Sequence, residues 1–229
     1  MLGASLAAAS APSMTALEAD LRRVQEEQQA QLQAQRDAAL LAEQEAAEEQ
    51  RRRDELTGTN IVAIGDSVML ASSDALRTEF PGIYVDGAVS RHYESVPQIL
   101  DETDASGLLR NYVVLGFGTN GPSDGGGDTV LLGKIIDRIG EDRTLVIVLP
   151  YGDRWYMPDA QEEVLEAARQ HDNVHVADWC TAAREDPSVL RADMIHPDPP
   201  GAVKYANAVR DALEQSFAGE KSIPDSCGV

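Results

Sequence analysis

The sequence predicts an α/β protein, a three-layer α/β/α sandwich with a mainly parallel sheet, preceded by a long polar helix. Three observations carry this. Between residues 61 and 176 there are five short runs of continuous apolar residues, the pattern of strands buried on both faces. Segments with apolar residues at helical spacing separate these runs, and that alternation argues for a parallel sheet covered by helices. Residues 14–56, in contrast, contain neither Gly nor Pro and are dominated by Gln, Glu, Ala and Arg, which are strong helix formers.

The polar helix comes first. Leu17, Leu21 and Val24 start a heptad-like stripe, but its continuation falls on Gln28, Gln31, Gln35 and Ala38. A sustained coiled-coil seam carries apolar residues at those positions. The block therefore reads as a spacer, a docking arm or a poorly pairing coiled coil. Thr57-Gly58-Thr59-Asn60 ends it. Ile61–Ile64 is the first strand and 68–79 a helix. Ile83–Val85 is the second strand, followed by a short helix at 93–101. Tyr112–Leu115 is the third strand. A helix over 128–139 places Val130, Leu131, Ile135, Ile136 and Ile139 at helical spacing. Leu145–Leu149 is the fourth strand, 159–170 a helix, and Val174–Val176 the fifth strand. The last helix, 200–217, gathers Val203, Ala206, Val209, Ala212 and Leu213 on one side. The expected organisation is a flexible segment at 1–13, the helical linker or weak coiled coil at 14–56, the α/β domain at 57–217 and a tail at 218–229.

Composition narrows the function. The chain of 229 residues has 39 acidic and 19 basic side chains, a formal net charge of -20. Nucleic-acid binding requires a basic face, and the one basic cluster, Arg51-Arg52-Arg53, is followed directly by acidic residues. A neutral or carbohydrate-like substrate suits this charge better than a polyanion. No apolar run is long enough to span a bilayer. Residues 1–13 lack the basic start and continuous apolar stretch of a signal peptide. The two cysteines, Cys180 and Cys227, are either reduced thiols or a disulfide that ties down the tail. The Pro, Gly and Ser around Cys227 leave it little else to hold it, which favours the disulfide and an oxidising compartment.

In open parallel sheets, ligands bind at the carboxyl ends of the strands. The chemistry-bearing residues fall there. Ser67 follows strand one, Asp86 and Ser90 follow strand two, Gly118–Gly121 follow strand three, and Asp153 follows strand four. Gly65-Asp66-Ser67 puts a hydroxyl at the sheet edge, although Asp and Ser there also make an ordinary helix cap. Gly118-Thr119-Asn120-Gly121 offers a side-chain amide to the same crevice, although Asn-Gly is also a common turn pair. In Asp193-Met194-Ile195-His196, the carboxylate can orient the imidazole and fix its tautomer, leaving the other ring nitrogen to take a proton. A surface turn with an incidental ion pair reads the same way. His92, His196, Asp86, Asp153 and Asp193 match no compact zinc spacing. Gly125-Gly126-Gly127 lacks the Lys-Ser/Thr of a phosphate loop and reads as a turn.

Three blocks, GDSVM at 65–69, GFGTNG at 116–121 and DMIHP at 193–197, together resemble the SGNH/GDSL hydrolase superfamily. The closer resemblance is to the SGNH domains attached to acyltransferase-3 membrane proteins of the peptidoglycan O-acetyltransferase type. It is carried by IVAIGDSVMLAS, VDGAVSR and DMIHPDPPGAVKYANAV, from about Ile61 to Phe217, and does not cover the polar helix. The resemblance implies Ser67 as nucleophile, His196 as base and then acid, and Asp193 as its orienter. It implies an oxyanion hole made by the Ser67 amide, the Asn120 side chain and a third backbone amide. That third donor is a glycine in the family; here Ser90 aligns with it, with Gly87 as the other candidate. No cofactor and no metal is implied. The partners implied are an acyl donor, delivered in some relatives by a membrane domain of the same protein, and a glycan acceptor outside the cell. The chain then is either the extracytoplasmic piece of such a membrane protein or a stand-alone relative, and the weakly apolar start and long polar helix favour the first, a cell-surface domain.

Within that frame, Arg91, Asp153, Arg154, Trp155 and Tyr156 are the candidates for an acceptor cleft, the aromatics stacking on a sugar face. The competing reading has Trp155 and Tyr156 packing a long loop. The expected function is a serine-dependent O-acyl, in particular O-acetyl, transferase or esterase acting on a cell-envelope glycan. A generic carbohydrate esterase, a catalytically weak glycan-binding module and an assembly role for residues 14–56 are the alternatives.

Overall fold

The computed structural model describes residues 15–124 and 130–227, the Arg53 side chain excepted. The expected flexible segment at 1–13 and the Gly125–Gly127 turn lie outside the described residues. The chain divides at Arg51 into two units.

The first unit is built on helix α1 (Ala16–Glu55, 40 residues), about 60 Å long at the standard rise. A capping box starts it: the Glu18 amide donates to Thr15 Oγ1 at 3.3 Å, and the Thr15 amide donates to Glu18 Oε2 at 2.8 Å. Arg23 pairs with Asp20 and Glu27 one turn to either side, contacts worth a few tenths of a kcal/mol each, about 0.2–0.5. Leu17, Leu21, Val24, Leu32, Leu40 and Leu41 are all exposed. The helix is held by propensity, capping and local pairs, not by a buried face.

The second unit contains a five-stranded sheet in the order β2-β1-β3-β4-β5, every pair parallel. Its strands are β1 (Ile61–Gly65), β2 (Tyr84–Gly87), β3 (Tyr112–Gly116), β4 (Thr144–Val148) and β5 (Val174–Ala177). The helices are α2 (Ser67–Ala71), α3 (Ser73–Glu79), α4 (Val96–Ala105), α5 (Val130–Ile139), α6 (Met157–Gln170), α7 (Trp179–Glu185) and α8 (Pro199–Phe217). Alternate strand residues feed two cores. Val62, Ile64, Val113, Leu115, Leu145 and Ile147 pack with Leu100 of α4, Leu132, Ile135 and Ile136 of α5, and Val164 and Leu165 of α6. Ile61, Ala63, Val114, Val146 and Val148 pack with Leu76, Trp179, Tyr205, Val209 and Leu213 from α3, α7 and α8. Burial on both faces explains why these strands read as continuous apolar runs.

The helices differ from the sequence expectation in four places, the first being α4, which runs over Val96–Ala105 where 93–101 is expected. The segment 68–79 is two helices, broken at Ser72. That residue is fully buried and turns its hydroxyl back to the Val68 carbonyl at 2.9 Å, which competes with the helical ladder. Helix α6 starts at Met157, two residues earlier than the apolar period shows. Helix α7 is not anticipated at all: seven residues are too few to display a period, and its mark is the Asp178 cap on the Thr181 amide at 2.9 Å.

Cys180 and Cys227 form a disulfide, with Cα atoms 5.9 Å apart and a sequence separation of 47. Arg184 Nη1 donates to the Cys227 carbonyl at 2.7 Å and Ser226 Oγ to Gln161 Oε1 at 2.8 Å, so the tail is tied to α6 and α7. Closing a loop of this length stabilises the fold by on the order of 4 kcal/mol in the chain-entropy account.

Candidate active site

The site assembles at the carboxyl end of the sheet, from the turns after β1, β2 and β3 and the loop before α8. After β1 the chain turns sharply. The Asp66 amide donates to the Gly116 carbonyl at 2.9 Å, and Asp66 Oδ1 accepts the Val68 amide at 2.8 Å. A side chain at Gly65 would strike Met69 and the Gly116 carbonyl, so only glycine fits this turn. Ser67 emerges half-buried at the start of α2.

The loop from Leu190 to Asp198 brings a histidine to that serine. A bridge between Leu190 and Pro197 and the Arg191 amide donating to the His196 carbonyl at 2.8 Å close the loop. Met194 takes a left-handed φ of 57°, which turns Asp193 back over the chain. His196 Nε2 lies 2.8 Å from Ser67 Oγ, and His196 Nδ1 lies 2.7 Å from Asp193 Oδ2. Asp193 Oδ1 accepts the backbone amides of Ile195 and His196, each at 3.0 Å. Partial burial raises the Asp193 pKa, but the His196 ring and the two amides outweigh it and bring it down to about 2. The carboxylate is therefore charged at neutral pH. It fixes the imidazole with Nδ1–H toward itself, leaving Nε2 free to accept the serine proton.

On the other side of Ser67, Asn120 follows β3. Gly118 (φ 100°) and Gly121 (φ 129°) make the turn around it. One Asn120 Nδ2–H donates to the Arg91 carbonyl at 3.1 Å. Tyr156 Oη donates to the Thr119 carbonyl at 2.9 Å, and Glu163 accepts both the Ser123 amide, at 2.8 Å, and the Ser123 hydroxyl. Burial pushes the Glu163 pKa upward, against those two bonds from Ser123. The Asn120 turn is thus gripped on both sides by residues at and after the start of α6.

In the block after β2, Ser90 adopts φ 55°, the left-handed conformation that glycine favours. Gly87 is held in β2, where a side chain would run into the Leu70 backbone amide at 2.7 Å.

The sequence reading puts Arg91 and Tyr156 in an acceptor cleft, but both engage their polar groups internally. Arg91 donates to the Gly65 carbonyl at 3.2 Å, the Asp86 carbonyl at 2.8 Å and Asp86 Oδ1 at 2.9 Å, and so clamps the Ser90 block onto the ends of β1 and β2. The competing expectation, that Trp155 packs a loop, also gives way: its side chain is 83% exposed, edge-on to Tyr156. Asp153 is exposed beside it. The Asp66 cap is the helix-cap reading of Gly65-Asp66-Ser67, whereas Glu163 as the anchor of Ser123 is a residue that sequence reasoning does not single out. A lone buried glutamate within an amphipathic helix carries no local signal. The Asp86/Arg91 charge pair, five residues apart, is the one such signal present in the sequence.

No protein-family model matches the chain. Over 163 residues it is 29% identical to the peptidoglycan O-acetyltransferase OatA of Listeria monocytogenes, covering 69% of this chain and 24% of that protein. Over 170 residues it is 23% identical to the O-acetyltransferase OatA of Staphylococcus aureus, covering 74% and 27%. The chain thus spans about a quarter of the length of these curated relatives. Among solved structures, the C-terminal catalytic domain of the Streptococcus pneumoniae peptidoglycan O-acetyltransferase A, carrying a methylsulfonyl adduct, matches with a TM-score of 0.63 at 26% identity. That match covers 69% of this chain and 94% of that one. The acetylxylan esterase Axe2 of Geobacillus stearothermophilus matches with a TM-score of 0.55 at 15% identity, covering 69% and 94%, a likeness of fold. The chain resembles the SGNH/GDSL hydrolase superfamily and is related to OatA-type catalytic domains, and its Ser67, His196 and Asp193 stand in the arrangement of a serine hydrolase or acyltransferase.

Proposed function

We propose that this chain transfers or hydrolyses O-acetyl or similar short O-acyl groups on a cell-envelope glycan such as peptidoglycan, through an acyl-Ser67 intermediate. The observation that carries the reading is the unbroken hydrogen-bonded line from Ser67 Oγ through His196 to Asp193, 2.8 Å and 2.7 Å long at its two links. Relatives named as peptidoglycan O-acetyltransferases, among the curated proteins and the solved structures, support the substrate class.

His196 Nε2 takes the Ser67 proton as Oγ attacks the ester carbonyl. The tetrahedral oxyanion is held by the Ser67 and Ser90 amides and the second Nδ2–H of Asn120. The intermediate collapses to acyl-Ser67, and His196 gives the proton to the departing alcohol oxygen. In the second half, water or a sugar hydroxyl loses its proton to His196 and attacks the acyl carbon. Ser67 Oγ leaves and recovers the proton. Asp193 stays ionised throughout and stabilises the imidazolium each time it forms.

An oriented hydroxyl gains a large effective concentration over water, so acceptor positioning decides between transferase and esterase. Trp155, with its exposed indole, and Asp153 are the acceptor-facing residues of this reading. Tyr156 links them to the Asn120 turn through Thr119, and Arg91 contributes by holding the Ser90 block. Such a role places the catalytic unit outside the cytoplasm. The disulfide fits an oxidising compartment. A membrane domain that supplies the acyl donor would be a further part of the system; no helix among the described residues is long and apolar enough to cross a membrane.

The test is to mix the protein with an acetyl donor and muropeptides and to follow products by mass spectrometry. Acetylated muropeptide, or acetate released from it, is expected with the wild-type chain and not with Ser67→Ala. A Ser67→Ala protein that still cleaves p-nitrophenyl acetate at the wild-type rate would remove Ser67 from the mechanism.

A further inference from the structure

Directly beneath the nucleophile lies a set of polar atoms that the mechanism leaves unused. Asp66 Oδ2, Trp179 Nε1 and Tyr205 Oη are buried and, among the described residues, without a hydrogen-bond partner of normal geometry, although the Thr119 side chain is close enough to Asp66 to lower its pKa. Their side chains are all but inaccessible, with exposures of 0%, 1% and 1%. Orphaned polar atoms in a core are costly, about 1–3 kcal/mol each, and three at one place call for an explanation.

All three residues line the same cavity, together with Gly116, Thr119 and Pro150. Its volume is about 10 Å³, the size of a single water site. Tyr205 is directed into it by shape: its hydroxyl lies against Gly116, where any larger residue would collide with it. Trp179 and Tyr205 meet edge to face, with ring centroids 5.7 Å apart, which fixes the two donors relative to each other.

We propose that these three groups hold one buried water molecule beneath Ser67, and that Asp66, acting through it, is a positioning residue for the nucleophile. The bonding is complementary. The indole N–H and the tyrosine O–H donate to the water oxygen, and the water donates to Asp66 Oδ2, three bonds being the usual number for a buried water. The other carboxylate oxygen, Oδ1, is already committed to the Val68 amide at 2.8 Å. Asp66 thereby joins the first turn of α2, where Ser67 stands, to α7 and α8. Helix α8 starts just after His196, with Asp198 capping the Gly201 amide at 2.8 Å. The water therefore braces the serine side of the Ser67–His196 pair against the element that follows the histidine side. Titratable groups facing Asp66 are His196, whose charge favours the carboxylate, and the buried phenols Tyr93 and Tyr205. Burial is the main influence on Asp66 and raises it to about 6, against the Val68 amide and the Thr119 side chain. A hydrated carboxylate in that place is ionised at neutral pH.

The positioning role rests on the reading of Ser67 as the nucleophile; the water site does not, and the two can fail separately. The first experiment is a crystal structure of the full chain at about 1.2 Å, a resolution at which ordered solvent and many hydrogens are seen. One ordered solvent peak within hydrogen-bond distance of Asp66 Oδ2, Trp179 Nε1 and Tyr205 Oη is expected. A dry cavity, or a direct Asp66–Tyr205 bond in its place, overturns the water site. The second experiment uses Tyr205→Phe, which removes one ligand of the water and little volume. Its kcat on p-nitrophenyl acetate is expected to fall roughly threefold to tenfold, the worth of one hydrogen bond, with KM within about twofold. The carbon-13 titration of the Asp66 carboxyl is expected to move upward in the variant, because the anion loses a relayed donor. An unchanged kcat and an unmoved Asp66 titration overturn the positioning role, even if the solvent peak is present.

Discussion

The two walls of the candidate active site, the histidine wall and the proposed oxyanion wall, are built in different ways. The histidine wall is local: Asp193 and His196 are three residues apart, and one short loop supplies the carboxylate, both backbone donors and the imidazole. The oxyanion wall is assembled from a distance. Arg91 reaches 26 residues back to the Gly65 carbonyl, Asn120 reaches 29 residues back to the Arg91 carbonyl, and Tyr156 reaches 37 residues back to Thr119. The first wall needs its loop to fold. The second needs β1, β2, β3 and α6 to be packed in register, so its geometry is sensitive to changes that never touch a substrate.

Substitutions in the two walls are expected to differ in effect. The largest effect is expected from the local wall. Asp193→Asn keeps the shape of the loop but removes the charge that sets the imidazole tautomer, and kcat should fall about 10⁴-fold, measured on p-nitrophenyl acetate. Next comes Asn120→Ala, which deletes an oxyanion donor and should cost about 10²–10³ in kcat with KM little changed. Arg91→Ala is the test of assembly from a distance. It removes three hydrogen bonds that hold the Ser90 block and the carbonyl that orients Asn120, and kcat should fall about tenfold or more, with a lower melting temperature. An Arg91→Ala enzyme with wild-type kcat would show that the oxyanion wall stands without its clamp. The smallest effect is expected from Ser90→Gly, which relieves a left-handed φ of 55°. Thermal unfolding should show a gain of up to about 1 kcal/mol, with activity retained because the donor is a backbone amide.

The acid response separates the walls as well. Asp193 has a folded pKa of about 2, below the usual value of about 3.9 for an unfolded chain. It therefore contributes stability above about pH 4, and that contribution is lost as pH falls through 2. Titration of unfolding between pH 5 and pH 2 should be flatter in Asp193→Asn than in the wild-type chain.

What the sequence made legible follows the same division. The continuous apolar runs announce a sheet covered on both faces, and the strand ends mark where chemistry gathers. Asp193 and His196 are readable as a pair because their interaction is local. Ser67 joins them across 129 residues, and only the strand-end rule and the family resemblance reach that far. The struts do not announce themselves. Tyr156 next to Trp155 looks like a second stacking ring, yet its hydroxyl is bound to Thr119, and Arg91 looks like a substrate grip, yet its guanidinium is satisfied inside the fold. Single long-range hydrogen bonds leave no periodicity and no motif. The break at Ser72 and helix α7 were hidden for a related reason: each depends on one side chain capping or competing with one backbone group.

The central claim is that Ser67 carries the acyl group. Intact-mass and peptide mass spectrometry of the chain, quenched in acid shortly after mixing with p-nitrophenyl acetate, tests it directly. A single acetyl group is expected on the peptide containing Ser67, absent in Ser67→Ala. Turnover by the wild-type chain with no acetyl group on that peptide, or with the group on another residue, would contradict it.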